Sequence, residues 1–146
     1  LRCPVCGNLI FPRINPVVIT AVTDGDRLLL SRYAGRDYTH YALIAGYTEI
    51  GETIEQTAAR EVMEEVGLKI KNLRYYKSQP WGVDGNVLMG FFCDVDGSDT
   101  IHIDESELSM AGWYSRDALP AQDDGISLTR EMIRVFGEGR EPTYDR

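Results

Sequence analysis

The sequence predicts an α/β domain, because short apolar segments with the character of strands flank a strongly marked helix. Thr53 and Gln56 form a Thr-x-x-Gln capping box, and Gly67 stands where a helix needs a left-handed C-terminal residue. These signals predict a helix over residues 54–66. A chain of 146 residues is the length of one domain with its own core.

Three strands are expected before this helix. Residues 17–22 (VVITAV) are β-branched and apolar, and a turn at residues 24–26 leads into residues 27–31 (RLLLS), which predicts a β-hairpin. Residues 33–41 are typical of a loop. Residues 41–45 (YALIA) then predict a short buried strand that delivers the chain to the segment before the helix.

Further strands and a second helix are expected after it. Residues 68–77 and 86–95 are predicted strands, joined by residues 78–85, which a proline and glycines keep irregular. Residues 101–103 predict one more short strand. A last helix is predicted from Ser127, and its apolar side would carry Leu128, Met132, Val135 and Phe136.

Composition limits the function classes. The net charge of −8 argues against non-specific binding to a nucleic-acid backbone, and it means that an enzyme acting on phosphates would need a metal ion. No run of eighteen apolar residues and no charged-then-apolar N-terminal segment is present, which predicts neither a membrane span nor a signal peptide. The expected location is the cytoplasm. Three cysteines cannot all pair, so a disulfide framework is not expected.

Cys3 and Cys6 form a Cys-x-x-Cys knuckle, in which a tight turn can aim two thiolates at one zinc ion. A structural zinc site needs four ligands, and neither the two histidines nor Cys93 has ligand spacing to this pair. Two interpretations stay open. The segment is either the second half of a zinc ribbon whose first half lies upstream, or a knuckle that binds nothing in this form.

Residues 46–68 concentrate six glutamates around the predicted helix: Glu49, Glu52, Glu55, Glu61, Glu64 and Glu65. Glu61 and Glu65 are one helical turn apart and Glu64 lies beside them, so three carboxylates share one face. Like charges at this spacing repel by roughly 0.2 to 0.5 kcal/mol per pair, which a divalent cation would relieve. Hard cations such as Mg²⁺ prefer carboxylate oxygen, so this cluster suits magnesium better than zinc.

The spacing of this stretch resembles the Nudix box at every position that the motif defines. It runs Gly46, five residues, Glu52, seven residues, Arg60-Glu61, two apolar residues, Glu64-Glu65, an apolar residue, a glycine and an apolar residue. The resemblance implies the Nudix fold, a mixed sheet between helices, and hydrolysis of a nucleoside diphosphate linked to another group. It implies Mg²⁺ or Mn²⁺ on Glu61, Glu64 and Glu65, assisted by the Gly46 carbonyl and Glu52.

Arg60 has two interpretations, a contact with phosphate or a pairing with a glutamate of the box. The resemblance favours the pairing, with Glu52 as the partner that Arg60 orients.

The flanks are similar to the NADH pyrophosphatase branch of that family, which is also known for removing NAD caps from RNA. The similar elements are the Cys-x-x-Cys before Pro12, Ala45-Gly46-Tyr47 and Ser78-Gln79-Pro80-Trp81. The resemblance implies a zinc ribbon, a homodimer and cleavage of NAD(H) to AMP and nicotinamide mononucleotide. The branch normally continues Pro-Phe-Pro after the tryptophan, whereas this chain has Gly82-Val83-Asp84, which leaves the preferred dinucleotide open.

Further site residues follow from the same resemblance. Tyr47 would stack on a base, Phe11 would offer a second aromatic face toward the partner subunit's site, and Gln79 with Trp81 would line the pocket. Glu107 would join the metals or activate water. The plainer alternatives are packing for Tyr47, a cover over the sheet edge for Phe11 and a solvated loop acid for Glu107.

The predicted organisation is a zinc-ribbon-like segment at residues 1–14 and a Nudix hydrolase domain at residues 15–146. The leading hypothesis is a metal-dependent dinucleotide pyrophosphatase acting on NAD(H), with NAD-capped RNA as a further substrate. The alternatives are a pyrophosphatase for ADP-ribose or another nucleoside diphosphate derivative, and a Nudix-fold nucleotide sensor that does not cut its ligand.

Overall fold

The fold is built on one mixed β-sheet with a helix on each face. The computed structural model describes residues 1–35, 40–121 and 125–144. In chain order its elements are β1 (Asn15–Asp24), β2 (Arg27–Tyr33), β3 (Ile44–Tyr47), α1 (Ile54–Val66), β4 (Ile70–Trp81), β5 (Asn86–Val95), β6 (Leu108–Ser115), a short 3-10 helix (Arg116–Ala118) and α2 (Leu128–Gly137).

The sheet is mixed because one central pair of strands is parallel. The strand order is β4-β5-β1-β2-β6, and β3 pairs with β1. β1 and β5 run parallel over nine residue pairs, whereas the other pairs are antiparallel. In the β1 and β3 pair, Val18 lies opposite Gly46, which fixes the start of the acidic stretch against the centre of the sheet.

Alternate residues of the central strands point to two different helices, as the period of a β-strand requires. Leu28 and Leu30 belong to a buried cluster that includes Met132 and Phe136 of α2. Leu29, between them, packs instead in a cluster that includes Val62 of α1. The two helices therefore lie on opposite faces of the sheet, and the α/β class is confirmed.

The helix predicted over residues 54–66 is confirmed with both caps. The Thr53 hydroxyl accepts a hydrogen bond from the Gln56 N–H at 3.1 Å, and the Gln56 side chain accepts one from the Thr53 N–H at 2.9 Å. Gly67 adopts the left-handed conformation with φ 69°, and its N–H donates to the Met63 carbonyl. The buried side of α2 also matches the predicted apolar set.

The early hairpin and the strand over residues 86–95 are confirmed as well. β1 and β2 are antiparallel, with Asp24 opposite Arg27 across a two-residue turn, and Gly25 supplies the positive φ that the turn requires. Residues 36–39 of the loop predicted at 33–41 lie outside the described residues.

Several strand predictions were wrong in extent or position. The strand predicted at residues 41–45 is β3, shifted to residues 44–47. β4 continues through Pro80, in a segment predicted to be irregular, because β4 is an edge strand whose outer side needs no N–H partner. Residues 101–103 form no strand, because the His102 N–H donates to the Val66 carbonyl at the end of α1. β6 was not predicted.

The first fourteen residues form a small hairpin ahead of β1. Arg2 and Leu9 form an antiparallel bridge, the Cys3 N–H donates to the Asn8 carbonyl at 2.8 Å, and the Gly7 N–H donates to the Cys3 carbonyl at 2.9 Å. Within the ranges described above, no helix is long and apolar enough to cross a membrane.

Candidate active site

A polar cavity of about 580 Å³ lies between the end of β3, the face of α1 and the loop before β6. We call it the acidic cavity. Its lining residues are Tyr33, Ala34, Ala45, Gly46, Tyr47, Glu49, Arg60, Glu61, Glu64, Glu65, Ser106 and Glu107. Three separate elements therefore bring together most of the carboxylates that the sequence analysis singled out.

Position 46 needs a glycine because there is no room for a side chain, and not because of its backbone conformation. A Cβ atom at this position would overlap the carboxyl group of Glu61, and Gly46 is not among the glycines with positive φ. The Glu61 carboxylate is thus laid directly on the backbone of β3. This close approach explains why a glycine stands at the end of a strand, where its lack of a side chain otherwise weakens packing.

Arg60 holds together the carboxylates on the α1 side of the cavity. Its guanidinium donates to Glu61 Oε1 at 2.8 Å, to Glu64 Oε2 at 3.0 Å and to the Tyr47 carbonyl at 3.0 Å. It also forms a two-armed pair with Glu52, with Nη2 to Oε2 at 3.0 Å and Nε on Oε1. The hydrogen bonds that Arg60 donates to Glu52 raise the pKa of Arg60, which therefore stays charged.

Glu52 lies outside the acidic cavity, although the resemblance implied that it assists the metal. Besides Arg60, its carboxylate accepts hydrogen bonds from the Thr57 hydroxyl at 2.9 Å and from the Glu49 N–H at 3.1 Å. The pKa of Glu52 is lowered to about 2, mainly by the hydrogen bonds that Arg60 donates to it. In this geometry Glu52 is the group that anchors Arg60, and its oxygens are already engaged.

Glu65 is the most deeply buried of the acidic residues that line the acidic cavity, with 1% of its surface exposed. Its Oε2 atom has no hydrogen-bond partner anywhere in the described part of the chain. Burial, followed by the charges of Glu61 and Glu107, raises the pKa of Glu65 from 4.5 to about 8. Burial likewise raises the pKa of Glu61. The inner end of the cavity is therefore short of positive charge.

The loop before β6 brings Glu107 over the same cavity. Asp104 organises this loop: its N–H donates to the Glu65 carbonyl at 2.9 Å, and its own carbonyl accepts from the Glu107 N–H at 3.0 Å. The Asp104 carboxylate accepts hydrogen bonds from the Ser106 N–H and hydroxyl at 2.9 and 2.6 Å. The loop is thus fastened to the C-terminal end of α1, the helix that carries Glu65.

The residues of the acidic cavity suit a divalent cation. A buried carboxylate oxygen of Glu65 has no hydrogen-bond partner, and the pKa values of Glu61 and Glu65 are raised. Both features are expected of clustered carboxylates that lack a cation to neutralise them. Over residues 1–35, 40–121 and 125–144, no three acidic, histidine or cysteine side chains converge on a common point. Part of the reason is that the Arg60 guanidinium lies against Glu61 and Glu64.

A second cavity of about 360 Å³ adjoins the first and shares Ala45, Gly46 and Tyr47 with it. We call it the aromatic cavity, because Tyr47 and Trp81 line it. Its other lining residues are Val17, Ile19, Asp84, Asn86, Leu88, Ser127 and Thr129. A cavity with aromatic walls beside an acidic one offers separate places for a base and for a diphosphate.

Besides Glu52, four of the predicted site residues lie outside both cavities. Gln79 donates from Nε2 to the Ile126 carbonyl at 2.7 Å and so ties β4 to the segment before α2. Phe11 is 75% exposed on the N-terminal segment. Cys3 and Cys6 lie in the N-terminal hairpin, where hydrogen bonds from the Cys6 and Val5 backbone lower the pKa of the Cys3 thiol.

Sequence reasoning missed several residues that line the cavities. Glu49 belongs to the acidic stretch but has no defined position in the box, whereas Tyr33 and Ser106 come from segments without a motif. Asn86 is the first residue of a predicted strand, where a polar residue is commonly exposed to solvent. In the structure it is buried, with 8% of its surface exposed. The one signal that could have found it is the rarity of asparagine inside strands.

Comparison with known proteins adds the family to this geometry. A sequence model of the NUDIX domain matches residues 13–136. The chain is 42% identical over 131 residues to a protein named NAD-capped RNA hydrolase NudC from Erwinia tasmaniensis, covering 90% of this chain and 50% of that protein. A protein of the same name from Photobacterium profundum is 43% identical over 131 residues, with coverage of 90% and 49%. The chain thus spans about half the length of these curated relatives.

Solved structures support the fold. A NUDIX hydrolase from Nitrosomonas europaea superposes with a TM-score of 0.78 at 22% identity, over 94% of this chain and 78% of that one. A UDP-X diphosphatase superposes with a TM-score of 0.65 at 20% identity, over 91% and 67%. At these identities the likeness establishes the arrangement of strands and helices.

Proposed function

The chain belongs to the Nudix hydrolase superfamily, and from that premise we propose that it hydrolyses the diphosphate bond of a dinucleotide. NAD(H) is the first candidate, with AMP and nicotinamide mononucleotide as products, and NAD-capped RNA is a second. The observation that carries the proposal is the adjoining pair of cavities, one acidic and one aromatic, which share Gly46 and Tyr47. The relatives named as NAD-capped RNA hydrolases support the same substrate class.

We assign Mg²⁺ or Mn²⁺ to the acidic cavity. Glu61, Glu64 and Glu65 would hold the ion, with the Gly46 carbonyl and Glu107 as further oxygen ligands. An ion bound there supplies charge neutralisation for the diphosphate and a water of lowered pKa. Glu52 would act through its pairing with Arg60, which the resemblance favoured, rather than as a ligand of the metal.

The side chains of the cavities would divide the reaction among them. Water adds to one phosphorus while the bond from that phosphorus to the bridging oxygen breaks, and a cavity carboxylate, Glu107 or Glu65, receives the water proton. Arg60 keeps Glu61 and Glu64 directed along one wall. Tyr47 and Trp81 supply aromatic faces for a base, which holds the diphosphate over the acids.

The direct test is a substrate panel read by product mass. Purified protein with Mg²⁺ or Mn²⁺ is given NADH, NAD, ADP-ribose and diadenosine polyphosphates in separate reactions. Release of AMP and the reduced or oxidised nicotinamide mononucleotide supports the proposal. Cleavage of ADP-ribose alone would show that the protein is an ADP-ribose pyrophosphatase. No cleavage of any compound would favour a nucleotide sensor.

Single carboxylate replacements test the site. We expect Glu64→Gln and Glu65→Gln to leave the fold intact and to lower NADH turnover with Mg²⁺ by at least about a hundredfold, which is what loss of one preorganised charge-stabilising group costs. Glu55→Gln is the matched control, because Glu55 is an exposed glutamate on the same helix. Turnover that survives in both cavity variants would remove the acidic cavity from the mechanism.

Residues 1–14 are proposed as the C-terminal half of a zinc ribbon, with Cys3 and Cys6 as two of four ligands. The lowered pKa of Cys3 favours the thiolate that zinc requires. Metal analysis of the purified natural protein would decide this. A stoichiometry of one zinc that is lost in Cys3→Ser supports the proposal, and no zinc contradicts it.

A homodimer in the cytoplasm is proposed on two grounds. The N-terminal segment exposes Val5, Phe11 and Ile14 at 92, 75 and 69%, an apolar surface that suits a second copy, and Phe11 would then face the partner subunit's site. Free thiols at Cys3, Cys6 and Cys93 suit a reducing compartment. Sedimentation equilibrium of the protein and fractionation of cells expressing it test the two parts separately.

A further inference from the structure

Tyr47 is held at its backbone and at the tip of its ring. At the backbone end, its carbonyl accepts a hydrogen bond from Arg60 Nη2 at 3.0 Å. At the ring end, Asn86 Nδ2 donates to the Tyr47 hydroxyl at 3.2 Å. The residue lines both cavities and is 55% exposed, so this second bond is what limits the swing of the ring toward solvent.

Asn86 is held in the sheet by two neighbouring strands. It is the first residue of β5 and pairs in the ladder with Asn15 on one side and with Trp81 on the other. The residue is 8% exposed, and its Oδ1 atom finds no hydrogen-bond partner within the described residues. A hydrogen bond from a fixed, buried amide is a firm anchor for an aromatic ring on the surface.

The burial of Asn86 is costly for stability. An unsatisfied buried oxygen destabilises the folded state, whereas a leucine of similar shape would pack at this position without that penalty. Since a buried unsatisfied amide is poorly explained by stability, its bond to Tyr47 calls for another explanation.

We propose that Asn86 is a positioning residue that fixes the Tyr47 ring as the wall between the two cavities, and thereby sets how tightly the base of a dinucleotide is held. This inference rests on the proposed function for the identity of the ligand. The Tyr47 hydroxyl, which phenylalanine would lack, is the group through which Asn86 acts.

A double-mutant cycle tests the inference. Tyr47→Phe and Asn86→Leu each remove the same hydrogen bond, so we expect each to raise KM for NADH about three- to tenfold with kcat within about twofold of the wild type. The double variant should match the single variants, because the bond can be lost only once. Ser109→Ala, at an exposed position on β6, is the control.

Two further measurements separate this inference from a structural effect and from the proposed function. The melting temperature of Asn86→Leu should stay equal or rise; a fall that accompanies the change in KM would make Asn86 a packing residue and overturn the inference. NADH binding without added metal, followed by protein fluorescence, should weaken by the same factor.

The possible results separate the positioning role of Asn86 from the proposed function. Additive effects of the two changes, or an unaltered KM in Asn86→Leu, would overturn the positioning by Asn86 while the proposed function stands. A wild type that cleaves nothing would overturn the proposed function, and the binding titration would still decide on Asn86. A wild type that neither cleaves nor binds NADH would overturn both.

Discussion

At the scale of single residues, Glu65 connects the stability of the domain to its proposed chemistry. The unfolded chain ionises this carboxyl near its ordinary pKa of 4.5, whereas burial keeps it protonated in the folded state up to about pH 8. Unfolding therefore releases a proton between these two values, and the free energy of unfolding falls as the pH rises through that window. Glu61, whose pKa is also raised by burial, adds a contribution of the same sign.

We predict that Glu65→Gln flattens this pH dependence in the metal-free protein. The wild-type free energy of unfolding should fall by up to about 1.4 kcal/mol per pH unit between about pH 5 and pH 8, and the variant should be the more stable protein at about pH 8. Urea denaturation at several pH values in the presence of EDTA measures this. Equal slopes in the two proteins would show that Glu65 is not held protonated in the folded state.

Gly46 has a residue-scale prediction of its own. In Gly46→Ala the new Cβ overlaps the Glu61 carboxyl, so that carboxyl must leave its place on β3. We expect kcat/KM for the cleaved dinucleotide to fall at least about a hundredfold, the cost of a displacement of about 1 Å in a catalytic group.

Gly112→Ala is the matched control for Gly46→Ala. A Cβ at Gly112 on β6 meets its nearest atom, in Tyr114, at an ordinary 3.6 Å. It should retain full activity. Normal activity in Gly46→Ala would mean that the Glu61 carboxyl is free to work from another position.

Residue spacing alone is sufficient to place part of the site. Glu61, Glu64 and Glu65 share a helical face by the geometry of the helix, and all three line the acidic cavity. The pairing of Arg60 with Glu52 that the resemblance favoured is present, whereas a part for Glu52 in metal binding stays a prediction. Asn86 escaped notice because its burial depends on neighbours from β1 and β4.

At the scale of elements, the loop before β6 acts as a bridge between α1 and Glu107. Asp104 connects the two through backbone bonds to Glu65 and Glu107, and its carboxylate shapes the turn through Ser106. Because the loop docks on the last carbonyls of α1, the helix that carries the acids also sets the height of Glu107 above them.

We predict that Asp104→Ala lowers kcat about tenfold with little change in KM, because the turn loses the acceptor for Ser106 and Glu107 loses its fixed position. Glu105→Ala, an exposed neighbour on the same loop, should leave both constants unchanged. Steady-state kinetics of the two variants test this. Equal kcat values in Asp104→Ala and the wild type would remove the loop from the positioning of Glu107.

Elements with local signals were predicted well and those defined by distant partners were not. α1 has a capping box at its start and a left-handed glycine at its end, so residues at its own termini determine where it begins and ends. β6 has no such signal: it is a strand because β2 pairs with it over seven positions. Residues 101–103 had a strand pattern but dock on the end of α1 instead.

At the scale of the whole molecule, the mixed sheet places the two cavities side by side. β3 pairs with β1 on one side, β5 pairs with β1 on the other, and Tyr47 and Asn86 thereby meet across β1. Residue patterns alone predicted the strands and helices along the chain, but not the order in which the strands lie in the sheet. The mixed sheet between helices came from the family resemblance, since pairing between segments so far apart leaves no local trace.

The central claim, that the carboxylates of α1 hold a divalent cation, is tested most directly by titrating Mn²⁺ into the protein and following free Mn²⁺ by electron paramagnetic resonance. We predict saturable binding by the wild type and by Glu55→Gln. Glu65→Gln should bind at least about tenfold more weakly, in line with the loss of a ligand. Equal Mn²⁺ affinity in all three proteins would contradict the assignment of the metal to the acidic cavity.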